Sequence, residues 1–197
     1  MRVLAAWLLL AALGGCASRP VLRPLEAAGG AGTDAGAALP LLSPVSLGQE
    51  RQVQQLLRGE FGERTFSLRC VVSVDARQLQ VIGVTAMGLR AFTLRYDGER
   101  LDEQRSPQVP DALQATSLLN DLQLVLWPLP ALQRAWSASG VEVSEPWPGT
   151  RRLLRAGRLL AEVHYATDGW EGRVWLRHFD RPYSLFIEGS RMGVEGG

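Results

Sequence analysis

The sequence contains few of the residues that usually carry catalysis or bind nucleic acid. It has two histidines, two cysteines and no lysine, so all 21 of its basic residues are arginine. These 21 positive charges are balanced by 20 negative ones. Phosphate binding needs clustered positive charge, and a nearly neutral chain gives no electrostatic reason to expect it. We therefore predict that the protein has no nucleic-acid partner.

The common catalytic and metal-binding motifs are also missing from the sequence. It contains no G-x-S-x-G nucleophile motif, no P-loop and no G-x-G-x-x-G dinucleotide motif. His164 and His178 each lack a second histidine or cysteine at the spacing of a zinc site. We predict a non-catalytic protein with no metal and no cofactor. An esterase or acyltransferase stays open as an alternative, and it would need a serine or cysteine folded beside one of these histidines.

The first 16 residues form the most specific pattern in the chain. Arg2 precedes an apolar segment of 11 residues, Val3–Leu13. That segment is shorter than the roughly 20 residues that a helix needs to cross a bilayer. It runs into Leu13-Gly14-Gly15-Cys16, which resembles the sorting signal of bacterial lipoproteins.

This resemblance implies that residues 1–15 are a signal peptide and that Cys16 carries acyl chains such as palmitate. Ala17 stands where an aspartate usually directs retention in the inner membrane, so the resemblance favours the periplasmic face of the outer membrane. Each buried methylene contributes about 0.8 kcal/mol, so several acyl chains would anchor the protein permanently. An ordinary secretory signal is the alternative, and the lack of a nearby A-x-A site disfavours it.

Residues 16–48 have the composition of a lipidated tether. Ten of the 13 residues from Glu26 to Ala38 are alanine or glycine, and none is aromatic. Such a stretch cannot bury enough apolar surface to fold alone. The apolar segment Leu39–Pro44 is expected to dock on the edge of the domain that follows. We assign this domain to residues 49–190 and a frayed tail to residues 191–197.

Residues 65–101 predict the meander around which the domain is built. Apolar side chains alternate with mostly polar ones from Phe66 to Val74, a period of two that indicates a strand with one buried face. Asp97-Gly98 is the strongest two-residue hairpin signal in the chain. Cys70 falls on the buried face and, with Cys16 lipidated, has no disulfide partner. We predict that it acts as a small buried hydrophobic residue.

A helical segment interrupts the strands, which then resume. Leucines and valines recur at helical spacing from about Ala112 to Leu126, after Asp111 as the predicted N-cap. Residues 131–138 can add one or two turns, and shorter alternating runs return from residue 141 to residue 187. The predicted fold class is mainly β with a helical insertion (α+β). It is an incomplete antiparallel β-barrel of about nine or ten strands, capped by helices.

The order of these segments resembles that of LolB, the family of outer-membrane receptors for lipoproteins. The resemblance covers roughly residues 49–188 and rests on four stretches: VIGVTAMGLRAFTLRYDGERL, LLNDLQLVLWPLPALQRAW, LLRAGRLLAEVHYA and GRVWLRHFDRPYSLFIEG. The chain is still more similar to a domain-of-unknown-function family of small lipoproteins that are often encoded beside aryl-polyene clusters. Both resemblances imply a LolA/LolB-like fold.

The LolB resemblance implies a monomer that holds acyl chains in an apolar cavity and receives or transfers a lipoprotein or a lipid-linked product. A LolA-like periplasmic carrier would then be a partner. The loop Met87-Gly88-Leu89 corresponds to the loop that inserts cargo into the membrane, with ordinary packing as the alternative. The predicted cavity wall consists of Phe66, Leu68, Val72, Phe92, Leu94, Leu122, Val163, Tyr165, Val174 and Leu185.

A second hypothesis is a non-catalytic interaction or assembly lipoprotein, associated with aryl-polyene-type lipid export. The two hypotheses differ in the volume enclosed by the fold. A carrier should contain an apolar void of roughly several hundred Å³. An assembly protein would have a filled core, packed as densely as an organic crystal.

Overall fold

The computed structural model describes residues 39–107, 109, 114–181 and 183–191, and for Arg191 it describes only the backbone. The predicted signal peptide, Cys16 and the tether as far as residue 38 lie outside the described residues. The same is true of Asp111 and of the tail from residue 192 onward.

Ten antiparallel strands form a single sheet in the described part of the chain. They occur in the spatial order β5-β4-β3-β2-β1-β10-β9-β8-β7-β6. Their bounds are β1 Arg51–Phe61, β2 Arg64–Val74, β3 Leu79–Thr85, β4 Arg90–Tyr96, β5 Leu101–Arg105, β6 Val141–Trp147, β7 Thr150–Arg155, β8 Arg158–Tyr165, β9 Gly172–His178 and β10 Tyr183–Arg191.

The sheet consists of two meanders that meet at its centre. Strands β1 to β5 run outward to one edge, and β6 to β10 run back from the other edge, so that the last strand pairs with the first. In this central pair Leu57 lies opposite Ile187, and Phe61 lies opposite Tyr183. Because β5 and β6 lie at opposite edges, the described sheet is open. The predicted fold class, an incomplete antiparallel barrel with a helical insertion, is confirmed.

Helices α1 (Ala115–Leu126) and α2 (Leu129–Trp136) connect β5 to β6. The prediction placed the start of α1 near Ala112, whereas the structure places it at Ala115. Pro128 ends the first helix and begins the second, because proline cannot supply the N–H that a continuous helix needs. The described helices fall short of the length and apolarity that crossing a membrane requires.

Residues 39–47, which we call the strap, pack against both helices, as their apolar composition predicts. Leu42 and Leu47 are buried. The amide of Gln123 in α1 pairs with the Leu42 backbone: Leu42 N–H donates to Oε1 at 2.9 Å, and Nε2 donates to the Leu42 carbonyl at 2.7 Å. The indole of Trp136 donates to the carbonyl of Pro40 at 2.8 Å. The strap is therefore part of the folded unit.

Two glycines allow phenylalanine rings to lie across the neighbouring strand. Gly59 in β1 pairs with Phe66 in β2, and Gly83 in β3 pairs with Phe92 in β4. A Cβ atom added to Gly83 would lie only 2.6 Å from the Phe92 ring. Such glycine–aromatic pairs accompany a curved sheet, and they bring the Phe92 ring against the face that the helices cover.

Candidate functional site beneath helix α1

A small apolar cavity lies between α1 and the inner face of the sheet, which we define as the face that α1 covers. Its volume is about 50 Å³. The wall is hydrophobic except for one amide, one thiol and one carboxylate. The lining residues are Gln55, Leu57, Cys70, Val72, Val81, Phe92, Leu94, Leu118, Leu119, Asp121, Leu122, Leu185 and Ile187.

The cavity is too small for an acyl chain in the conformation that the structure shows. A volume of about 50 Å³ has room for a few water-sized groups. Pockets that bind small molecules typically start at roughly 300 Å³. The void of several hundred Å³ that would distinguish a carrier is therefore absent beneath α1 in this conformation, which fits the filled core of the assembly hypothesis better.

Aromatic side chains fill the half of the inner face that lies toward β6, β7 and β8. Trp127 and Trp136 are fully buried. The hydroxyl of Tyr165 donates to the carbonyl of Val125 at 2.8 Å, which attaches β8 to the end of α1. The apolar cavity lies on the other side of the inner face, against β1–β4 and β10.

The structure brings five of the ten predicted lining residues to the cavity. These are Val72, Phe92, Leu94, Leu122 and Leu185.

The other five predicted lining residues lie elsewhere in the core. Phe66 and Leu68 are partly buried and pack against its edge. Val163, Tyr165 and Val174 belong to the filled half on β8 and β9, where Val163 and Val174 are fully buried. Alternation along the strands correctly placed these side chains on the inner face of the sheet. It could not show that aromatic side chains would fill one half of that face and leave the cavity in the other half.

Arg151 holds the C-terminal end of α1, and the sequence analysis missed it. Its Nη1 atom donates to the carbonyls of Leu124 and Trp127 at 2.6 and 2.9 Å. Its Nε and Nη2 atoms donate to Oε1 of Glu145 at 2.9 and 2.7 Å. A cation there satisfies carbonyls that the helix leaves free. The sequence pattern that could have identified Arg151 is its position two residues before the buried Leu153, which places it on the inner side of β7.

The side of α1 that faces the cavity is only partly buried. Gln114, at the N-cap position, makes no side-chain capping bond among the described residues. Leu118 and Leu122 reach the cavity but are only partly buried. A polar link at the middle of α1 joins Asp121 to His178: Oδ1 and Nε2 are 2.9 Å apart, and both side chains are buried. α1 therefore covers the cavity with two leucines that are not fully packed.

The Cys70 thiol and the Tyr183 hydroxyl keep their protons at physiological pH. Burial raises the pKa of Cys70 to about 12, so the thiol is neutral and unreactive at physiological pH. Burial also raises the pKa of Tyr183 far above its usual range. The structure thus places Cys70 as predicted, buried on the apolar face of its strand.

The loop between β3 and β4 presents two apolar side chains to solvent. Met87 is 82% exposed and Leu89 is 52% exposed. Gly88 takes the positive φ of +79° that this tight turn requires. The N–H of Gly88 donates to the carbonyl of Thr85, and the N–H of Leu89 donates to its hydroxyl. These two hydrogen bonds close the turn. Its two side chains project from the fold instead of packing into it.

The two histidines lie in different settings. Nδ1 of His178 lies 3.3 Å from an Arg181 nitrogen, on the far side of the ring from Asp121. His164 is on the outer face, with Nε2 2.7 Å from Oε1 of Glu162 and Nδ1 3.3 Å from Oγ1 of Thr150. These partners are carboxylates, an arginine and a buried threonine. No group of three or more metal-ligating side chains occurs among the residues that the structure describes.

Aromatic and arginine side chains also lie together on the outer face. The rings of Trp175 and Phe186 are 5.3 Å apart, and the Arg58 guanidinium lies 5.8 Å from the Phe186 ring. Arg177 lies 5.1 Å from the ring of Phe179. We call these five residues the outer aromatic surface. Neither of its arginines forms an ion pair with a carboxylate in the described part of the chain.

The fold and the cavity define an open antiparallel half-barrel whose inner face is covered by a helix. The chain belongs to the family described as "Protein of unknown function (DUF3261)", whose model matches residues 52–191. A solved structure of a DUF1329 family protein from Desulfovibrio piger ATCC 29098 is similar to it, with a TM-score of 0.39 and 8% sequence identity. That similarity covers 76% of this chain and 88% of the other. No curated protein matches the chain.

Proposed function

We propose that this protein is a non-catalytic, membrane-anchored protein that binds an acyl chain between α1 and strands β1–β4. The observation that carries the proposal is the apolar cavity, because the part of its wall that α1 provides, Leu118 and Leu122, is only partly buried. The ligand would be the acyl part of a lipoprotein or of a lipid-linked product. The protein would receive it or pass it on at the membrane.

An acyl chain enters, in this proposal, by displacing the part of α1 that carries Leu118 and Leu122. Leu118 and Leu122 leave the cavity wall, and methylene groups of the ligand take their place against Val72 and Leu94. Hiding a 16-carbon chain from water gains on the order of 10 kcal/mol at about 0.8 kcal/mol per methylene. Breaking the Asp121–His178 hydrogen bond costs about 1–3 kcal/mol, so the gain is large enough to drive the opening.

Attachment to the membrane follows from two features at different places in the chain. Acylation of Cys16 would hold the domain at the periplasmic face of the outer membrane, on a tether of about 30 residues that reaches roughly 30 Å. The exposed loop Met87-Gly88-Leu89 would then enter the lipid interface with its two apolar side chains. A LolA-like carrier is the proposed partner on the periplasmic side.

Ligand titration tests the proposal. Residues 17–197 retain every described residue and lack the acylated cysteine, so they suit a soluble assay. We expect saturable binding of cis-parinaric acid, displaced by palmitate, with one lipid per chain in native mass spectrometry. Val72→Phe, which fills the cavity, should weaken binding at least tenfold. Val71→Phe changes the outward-facing neighbour on the same strand and should leave the affinity unchanged.

Failure of the wild-type chain to bind either fatty acid would end the carrier proposal. Equal affinities for Val72→Phe and Val71→Phe would show that lipid binds somewhere other than beneath α1. Thermal melts of both variants are needed beside the titrations, because extra volume in a packed core costs about 1–3 kcal/mol.

A second candidate function is favoured by the outer aromatic surface. Aromatic residues and arginine are enriched at protein interfaces, and Trp175 and Phe179 are 44% and 47% exposed. With two arginines that lack described carboxylate partners, this face suits a partner protein with acidic and apolar groups. The protein would then brace an assembly at the membrane. Trp175→Ser would weaken such an assembly and leave fatty-acid binding unchanged.

A further inference from the structure

Gln55 is the one side-chain amide in the wall of the cavity. It lies at the middle of β1, between Cys70 of β2 and Gly189 of β10. The side chain is fully buried although its neighbours in the cavity wall are hydrophobic. A buried amide in an apolar wall is unfavourable unless both its donor and its acceptor find partners.

Only one end of this amide has a partner. Nε2 donates one of its two N–H groups to the carbonyl of Gly169 at 3.4 Å, a long hydrogen bond. Oε1 has no hydrogen-bond partner among the described residues. An unsatisfied buried acceptor costs about 1–3 kcal/mol. A ligand that supplies a donor at this place would recover that free energy.

The other polar groups of the cavity wall indicate which kind of donor the ligand would bring to Oε1 of Gln55. The Asp121 carboxylate is a second acceptor, and its Oδ1 already pairs with His178. The remaining donors are the second N–H of Gln55 and the Cys70 thiol, which is a weak one. The carbonyl of an ester or the oxygens of a carboxylate could accept from that N–H, but they would leave Oε1 of Gln55 without a donor. A hydroxyl group can donate to Oε1, and its oxygen can accept a bond from the N–H or from the thiol.

We propose that the acyl chain bound beneath α1 carries a hydroxyl group, which donates a hydrogen bond to Oε1 of Gln55. This inference rests on the proposed function, since it presupposes that an acyl chain occupies the cavity. It narrows the ligand from any acyl chain to the class of hydroxylated ones. It also explains why a glutamine lies on the inner face at the centre of the sheet.

The test compares hexadecanoic acid with its 2-, 3- and 16-hydroxy derivatives, each titrated into residues 17–197. We expect one positional isomer to bind about tenfold more tightly than hexadecanoic acid, as one hydrogen bond of about 1.4 kcal/mol predicts. Gln55→Met, of similar volume, should abolish this preference and still bind hexadecanoic acid. Gln54→Met makes the same change at the next residue, which points to the outer face, and should keep the preference.

Two results would overturn the inference while leaving the proposed function intact. One is equal affinity of the wild-type chain for all four acids, which would mean that a water molecule satisfies Oε1. The other is a preference that survives in Gln55→Met. If none of the acids binds the wild-type chain, the proposed function fails and this inference fails with it. The comparison within the wild-type chain decides the matter even if Gln55→Met does not fold.

Discussion

Oδ1 of Asp121 in α1 lies 2.9 Å from Nε2 of His178 in β9, and both side chains are buried. This hydrogen bond ties the middle of α1 to the sheet. It joins the helix that covers the cavity to the second meander, β6 to β10. In the proposed function, this contact opposes the opening of α1.

Breaking this link should expose the cavity. Asp121→Leu removes the acceptor and leaves a buried imidazole nitrogen unpaired, so we expect a loss of about 1–3 kcal/mol in the free energy of unfolding. Cys70 lines the cavity and is the sole cysteine of residues 17–197. Its reaction with a disulfide reagent at pH 8 should be several-fold faster in the variant.

The control for this measurement is Asp102→Leu. Asp102 pairs with Arg100 on the surface, with both side chains more than half exposed, and such pairs contribute little. In Asp102→Leu, Cys70 should react with the disulfide reagent at the same rate as in the unaltered chain. An unchanged rate in Asp121→Leu would show that the helix does not open through this contact.

Gly83→Ala should push the Phe92 ring out of its place in the cavity wall. The added Cβ would lie 2.6 Å from the ring, and relieving such a clash costs about 1–3 kcal/mol. We expect a lower midpoint in chemical denaturation and weaker fatty-acid binding. Gly62→Ala is a suitable comparison, because no atom lies within 4 Å of its added Cβ and its strain comes from the positive φ alone. Gly62→Ala should therefore leave the affinity unchanged.

Gln123→Met should detach the strap from α1. The variant loses two hydrogen bonds to the Leu42 backbone and leaves a buried N–H and carbonyl without partners. We expect a destabilisation of about 2–4 kcal/mol in urea unfolding. Gln133→Met loses a single bond to the Val143 carbonyl and should cost about 1 kcal/mol. Equal losses in the two variants would contradict a structural role for the strap.

The exposed loop should govern contact with membranes. Leu89→Glu places a charge on the loop and should reduce co-sedimentation of residues 17–197 with phosphatidylglycerol vesicles several-fold. Fatty-acid affinity should not change. Val45→Glu is the matched control, since Val45 is also apolar and exposed, but its segment lies beside Gly98, in a turn at the opposite end of β4. Equal vesicle binding by both variants would remove the proposed role of the loop.

Glu162 on the outer face should make stability depend on pH in the acid range. Burial raises its pKa, but hydrogen bonds from Arg152 and His164 outweigh that effect and hold the pKa below its ordinary value of 4.5. A lowered pKa stabilises the fold above pH 4.5, and the contribution disappears as the pH falls through the folded-state pKa.

We expect Glu162→Gln to lower the free energy of unfolding by about 0.5–1 kcal/mol at pH 7. The difference from the unaltered chain should shrink steadily below pH 4.5 in urea titrations. With Arg152→Met as background, the same substitution should have a smaller effect, because the main partner is missing. A difference that is constant from pH 7 to pH 3 would refute this assignment.

The sequence by itself determined most of the strands of this protein. Alternation from Phe66 to Val74 and the Asp97-Gly98 pair depend on side chains a few residues apart, and β2 and β4 occur where these patterns place them. The turn at Asp97-Gly98 is longer than the predicted two-residue hairpin, because Tyr96 pairs with Leu101. The buried thiol of Cys70 follows from the same alternation. Lipidation of Cys16, the membrane location and the acyl ligand stay predictions.

Tertiary structure alone decided which polar residues are buried and how much space remains beneath α1. Gln123 meets Leu42 across 81 residues of chain, and His178 meets Asp121 across 57. Periodicity over a few residues holds no information about such partners, because they are set by how the two meanders and the helices pack. The same packing lets Trp127 and Trp136 fill one half of the inner face. What is left on the other side is a small cavity with Gln55 in its wall.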